Sequence, residues 1–98
     1  MKIQFTPRFE RNIKRLHHNE KQSLNQAVKA IASNPLAGEA KKGDLVGVRV
    51  YKYNHNQQQL LLAYMADSAN DQIILIAHGT HENFYRDLKN KSFNPNIS

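Results

Sequence analysis

The spacing of apolar residues changes period along the chain, and the change divides it into elements. In "KIQFT" (2–6), Ile3 and Phe5 alternate with Lys2 and Gln4, the two-residue repeat of a short strand. Thr6-Pro7 then reads as a helix start, with Thr6 as N-cap and Pro7 at the first helical position. Phe9, Ile13 and Leu16 follow at i, i+4 and i+7 on one helix face, and Arg8, Arg11 and Arg15 form a basic stripe beside them. "HHNEK" (17–21) interrupts the pattern, and Asn19 is placed to cap a second helix carrying Leu24, Val28 and Ile31, with Ala27 and Ala30 in close contacts. Asn34-Pro35 ends it.

From there the repeat is that of strands. "LAGEAKKGD" (36–44) reads as a loop. "LVGVRVYKY" (45–53) places Val46, Val48 and Val50 on one face and Arg49, Tyr51 and Tyr53 on the other. "NHNQQQ" (54–59) reads as a polar turn. "LLLAYMA" (60–66) and "QIILIAH" (72–78) are apolar on both faces, as central strands covered on both sides would be, with "DSAND" (67–71) as the turn between them. A short helix is expected from Glu82 to about Asn90, followed by a frayed tail. The predicted class is α+β in the order β-α-α-β-β-β-α. Three strands form an antiparallel meander, the helix pair covers one face, and the first strand joins an edge. Residues 1–90 make one domain and 91–98 a flexible tail.

Composition narrows the chemistry. A chain of 98 residues supports one modest core. Cysteine is absent, so disulfides, thiolate catalysis and cysteine metal sites are excluded. No apolar run approaches the roughly 20 residues of a membrane span, and Met1-Lys2-Ile3 opens a strand rather than a signal peptide. The simplest expected location is cytoplasmic. The formal net charge is +6, and residues 1–50 hold ten Lys/Arg against four Asp/Glu, whereas residues 51–98 hold four of each. That skew fits an acidic partner, either nucleic acid or an acidic protein; it also fits a solubilising basic surface.

The candidate chemistry gathers near "IAHGTHENFYRDL" (76–88). His78 and His81 stand at the exit of the third meander strand, and Phe84, Tyr85 and Arg86 follow. Cations, an imidazole and a tyrosine on one sheet face suit a phosphodiester. Lys or Arg neutralises the phosphorane, imidazole moves protons near neutral pH, and an aromatic ring stacks on a base. RNA supplies its own nucleophile, the 2′-hydroxyl, so a metal is not required. Plainer roles stand beside these. His78, in phase with Ile74 and Ile76, can pack at the sheet margin or cap a carbonyl. His81 can be a surface or N-cap-like residue, and Arg49 can pair with Asp44 or Glu39. Lys41, Lys42 and Lys52 can be solvated charges. His-x-x-His is half a metal site, with His55 as a conceivable third ligand, but no further ligand stands at a recognisable spacing. His17 and His18 read as solvent-exposed.

The element order together with "FTPRFERNIKRL" (5–16), "KKGDLVGVRVY" (41–51), "LLLAY" (60–64) and "GTHENFYRDL" (79–88) resembles the RelE/ParE superfamily of bacterial toxins from type II toxin–antitoxin systems. The resemblance covers roughly residues 1–90 and implies a microbial-RNase-like fold. It also implies a cognate antitoxin as partner and no cofactor or metal. The RelE-like branch consists of ribosome-dependent mRNA endonucleases, and the ParE-like branch poisons DNA gyrase. "GTH" at 79–81 with Tyr85 is similar to YafQ-type nucleases, which implies His81 as a proton-transfer residue and Tyr85 as an aromatic helper. By the same resemblance Arg49 falls where a basic strand residue faces mRNA, and Lys52 near where YafQ-type toxins have a second histidine. Lys41, Lys42, Arg86 and the stripe Arg8, Arg11 and Arg15 are the expected contacts to mRNA and ribosomal RNA. Two departures stand out: Leu61 occupies the position of a common RelE-like arginine, and Gln59-Leu60 replaces the Asp-Trp pair of the YafQ type.

Overall fold

Thr6 joins the first strand to the first helix and ties both to the centre of the sheet. In the computed structural model, which describes residues 2–80, β1 (Lys2–Phe5) is followed by α1 (Pro7–Ile13) and α2 (His18–Ser33). A short β2 (Glu39–Ala40) precedes the meander β3 (Arg49–His55), β4 (Gln58–Asp67) and β5 (Gln72–Thr80). The sheet order is β1-β5-β4-β3-β2. The α+β class and the antiparallel meander are as the periodicity predicts. β1 joins the β5 edge in parallel, pairing Lys2 to Phe5 with Gln72 to Leu75. The expected helix 82–90 and the tail 91–98 lie outside the described residues, as do His81, Tyr85 and Arg86.

Several boundaries differ from the pattern reading. α1 stops at Ile13, so Arg15 sits in the following turn and leaves the basic stripe, although Leu16 still packs against the core. The N-cap of α2 is His17 rather than Asn19, and the Glu20 carboxylate accepts the His17 N–H at 3.0 Å. β3 begins at Arg49, because Gly47 at φ 91° turns the chain just before it and leaves Val46 76% exposed. Alternating valines therefore mimic a longer strand. The expected loop 36–44 contributes β2, which pairs with Arg49 and Val50. Only Asn56 and Gln57 of the polar hexapeptide form the turn. Both are left-handed, at φ 51° and 67°, as a two-residue hairpin loop matched to strand twist requires.

The sheet carries an apolar cluster on each face. Phe9, Leu24, Ala27 and Ile31 of the helices pack on Leu62, Tyr64, Ile73 and Leu75. The opposite face, against which neither α1 nor α2 packs, gathers Val48, Val50, Leu61, Ala63, Ile76 and Ala77, all buried. A β-bulge links the two. Ala63 pairs with Ala77 but Tyr64 pairs with Leu75, so Ile76 is an extra residue on β5. The slip reverses the side-chain phase beyond it. His78, opposite Leu62, therefore joins the helix-side face and not the face of Ile74 and Ile76.

β1 ends at Phe5, and α1 serves the remaining edge of β5 with side chains. The Thr6 hydroxyl donates to the Ile76 carbonyl at 2.9 Å and accepts the Phe9 N–H at 3.1 Å, so one oxygen caps the helix and satisfies the bulge. Farther along, the His78 N–H donates to Asn12 Oδ1 at 3.0 Å. Unmade bonds at these buried groups would be costly. Thr6→Ala is expected to lower stability by about 2 kcal/mol in a denaturant melt, with Thr6→Ser recovering most of it. Equal losses for the two variants would show that the hydroxyl is not the stabilising group.

Candidate functional site

The face opposite α1 and α2 is where an exposed cation meets the end of β5. Lys52 is exposed and pairs with Leu61, which pairs with Gly79, so the three form one row across β3, β4 and β5. Leu61 is fully buried in the middle of that row. One row nearer the hairpin, exposed Asn54 and Gln59 stand opposite each other. On the other side of Lys52, Val50, Ala63 and Ala77 form an apolar row. Lys41 and Lys42 lie in the connection between β2 and β3. The Lys41 N–H donates to the Val48 carbonyl at 2.9 Å, and its ammonium is 3.4 Å from Glu39 Oε1. Lys42 is exposed ahead of a 3-10 turn at Gly43–Leu45.

Arg49 is not brought to Lys52. Three residues apart on one strand, the two point to opposite faces. Arg49 Nη1 donates to the Gly38 carbonyl at 2.8 Å and lies 3.5 Å from the Leu36 carbonyl. Beside it the Tyr64 hydroxyl donates to the Pro35 carbonyl at 2.7 Å and accepts the Gly38 N–H at 2.8 Å. A Cβ at Gly38 would lie 2.7 Å from Tyr64 Cε1, so only glycine permits this approach. Burial raises the pKa of Tyr64, keeping its phenol protonated to donate, while the Arg49 charge pulls the other way. In this arrangement Arg49 binds loop carbonyls, where the sequence had suggested mRNA or the carboxylates of Asp44 and Glu39.

The helix-side face holds a second polar cluster. His78 is 6% exposed, and its Nε2 shares a 2.6 Å hydrogen bond with the Tyr53 hydroxyl. Burial pulls the His78 imidazole down to about 4, against a weak opposing pull from Glu20, and it pushes the Tyr53 phenol up to about 12 with Glu20 adding to the rise. Both groups are neutral at physiological pH. The Tyr51 and Tyr53 rings stack with centroids 6.4 Å apart. Ser23, Gln26, Ala27, Tyr51, Tyr53 and Asn54 line a shallow cleft between α2 and β3. At its end Ser23 Oγ and His55 Nδ1 are 2.7 Å apart.

Of the remaining candidates, Arg8 is half-buried on α1, Arg11 and Arg15 are exposed, and so are His17 and His18. His55 is bonded to Ser23 and stands apart from the Tyr53–His78 pair. Among the described residues no three His, Asp or Glu converge on a metal position, and no helix is long and apolar enough to cross a membrane. Sequence reasoning missed the Tyr64–Gly38–Arg49 knot and the Tyr53–His78 and Ser23–His55 pairs. Only a glycine at 38 and a tyrosine inside an otherwise aliphatic strand hint at the first.

These features define a small α+β protein whose five-stranded sheet is covered on one face by α1 and α2, and solved structures share that fold. The RelBE2 toxin–antitoxin complex from Mycobacterium tuberculosis matches with a TM-score of 0.71 and 16% identity, over 82% of this chain and 96% of that one. The intact RelBE complex from E. coli gives 0.65 and 15%, over 81% and 94%. The isolated E. coli RelE toxin gives 0.63 and 15%, over 91% and 96%. Among curated proteins, none matches. Residues 3–89 match the ParE-like toxins of type II bacterial toxin–antitoxin systems. The chain belongs to that family.

The buried histidine makes stability depend on pH. The unfolded chain takes up a proton near pH 6.5 that folded His78 refuses until about pH 4. Stability therefore rises with pH across this window and is lost as pH falls, by up to roughly 3 kcal/mol. Tyr53 acts at the other end: stability falls from about pH 10 to about pH 12, because the unfolded phenol ionises first. His78→Gln removes the acid-side titration, so its denaturation midpoint is expected to change less between pH 7 and pH 4.5 than that of the wild type. Parallel pH profiles for the two proteins would refute the assignment.

Proposed function

We propose that this toxin is an mRNA endoribonuclease that acts at the ribosome and is restrained by a cognate antitoxin. The observation that carries the reading is the exposed Lys52 on the sheet face opposite α1 and α2, in one row with Gly79, two residues ahead of His81 in the chain. The fold likeness to RelE, and to RelE-type toxins solved with their antitoxins, supports both the reaction and the partner.

In this mechanism the 2′-oxygen attacks the adjacent phosphorus as His81 accepts its proton. The bond from phosphorus to the 5′-oxygen then breaks, and that oxygen takes a proton from a donor or water. The products are a 2′,3′-cyclic phosphate and a free 5′-hydroxyl. Lys52 and Arg86 offset charge on the phosphorane, Tyr85 stacks on or orients the substrate, and no metal takes part. Lys41, Lys42, Arg8, Arg11 and Arg15 supply phosphate contacts that carry no sequence information. Arg49 has a supporting role, holding the loop before β2 in place.

A second reading is a binding protein that inhibits DNA gyrase and catalyses nothing. It is favoured by the ParE-like family match, by buried Leu61 where a cation would help cleavage, and by the engagement of Arg49 with carbonyls. Expression of wild type, His81→Ala and Lys52→Ala in growing cells, with mRNA 5′ ends mapped and plasmid supercoiling followed, separates the two. Cleavage is expected to fall by ~100-fold or more in His81→Ala and by about tenfold in Lys52→Ala. Growth arrest with intact mRNA and lost supercoiling would reject the nuclease.

A further inference from the structure

The tip of the β3–β4 hairpin carries polar groups that the cleavage chemistry leaves unused. Asn54, Asn56, Gln57, Gln58 and Gln59 surround His55 there, and all five carboxamides are exposed. Each offers donors and an acceptor without charge. A solvated turn needs no such density of one functional group, nor a rigid mount, and this tip has one. Asn56 and Gln57 both occupy the left-handed region, which glutamine adopts less readily than glycine or asparagine. His55 Nδ1 is 2.7 Å from Ser23 Oγ, which ties the tip to α2.

The register directs part of this surface toward the candidate site. Asn54 and Gln59 are cross-strand partners on the face opposite α1 and α2, the face that carries Lys52. Two residues of strand separate the amide pair from the lysine, about 7 Å. Phosphate-binding cations hold RNA of any sequence, whereas sequence is read by hydrogen bonds to the edges of unpaired bases. Carboxamides are suited to that task, since one side chain can donate and accept in the same plane.

We propose that the hairpin tip is the recognition surface for unpaired RNA bases beside the scissile phosphate. Asn54 and Gln59 contact base edges, Asn56 and Gln57 extend the surface, and the Ser23–His55 hydrogen bond holds it in position. The proposal rests on the RNA-cleavage reading and adds to it the source of sequence choice.

The test is equilibrium binding of labelled six-nucleotide RNA homopolymers of A, C and U to the full chain carrying His81→Ala, which prevents turnover. The unaltered tip is expected to discriminate among them by about tenfold or more. Asn54→Ser with Gln59→Ser should reduce the spread to about threefold or less, while Lys52→Ala weakens all three alike and leaves the spread in place. Ser23→Ala should narrow the spread in part with little change in the thermal melt. A double variant that keeps the original ranking and ratios would overturn the proposal. So would an unaltered tip that does not discriminate, or a double variant that binds RNA as before but no longer captures antitoxin. Discrimination among homopolymers without mRNA cleavage in cells would count against the cleavage reading alone. Cleavage with unchanged site preference in the double variant would count against the hairpin alone.

Discussion

The extra residue at Ile76 is the constraint on which the rest of the arrangement depends. A strand presents alternate residues to alternate faces, and one inserted residue reverses that alternation for everything beyond it. Before the bulge, Ile73 and Leu75 face the helices; after it, His78 does. The bulge also leaves the Ile76 carbonyl out of the regular ladder, and the Thr6 hydroxyl meets it at 2.9 Å. Because the same hydroxyl caps α1, the start of the first helix and the irregularity in β5 are one structural event. Asn12 extends the arrangement by accepting the His78 N–H, so α1 continues with side chains the edge that β1 began with backbone.

A second knot acts at the opposite edge of the sheet. Tyr64, Gly38 and Arg49 bind the segment after α2 against β3 and β4 through carbonyl and amide groups that would otherwise lack partners. The close approach at Gly38 leaves no room for a side chain. Arg49 is thereby committed to the helix-side edge, and Lys52 is the described β3 cation left exposed on the opposite face. The two ends of β3 thus have separate duties, loop anchoring at Arg49 and surface chemistry from Lys52 to the hairpin tip.

The polar groups inside the helix-covered face are matched pairs, and that matching permits their burial. His78 and Tyr53 are both neutral there, each serving the other's hydrogen-bonding need in a place that penalises charge. The opposite face differs at its margin, where exposed amides and a lysine border the buried apolar cluster of Val50, Leu61, Ala63 and Ala77.

Local pattern was enough to determine the main helices and strands of residues 2–80, the meander, the Thr6-Pro7 helix start and the α+β class, because periods of 3.6 and 2 are written in adjacent residues. The same pattern, with the terminal "GTH", was enough to point to the toxin family. It misjudged β3, where Val46 continues an alternation that Gly47 ends, and it placed His78 on the wrong face, because nothing in "LIAHG" marks the bulge. Lys52 and His81 are proposed as site residues on residue type, which the sequence displays directly. The arrangement was not legible at Arg49, whose partners are carbonyls supplied by a loop 11 residues earlier. Nor was it legible at Ser23 and His55, which are 32 residues apart in the chain. Pairings of that kind depend on which strand lies beside which helix, a relation that exists only once the chain has closed on itself.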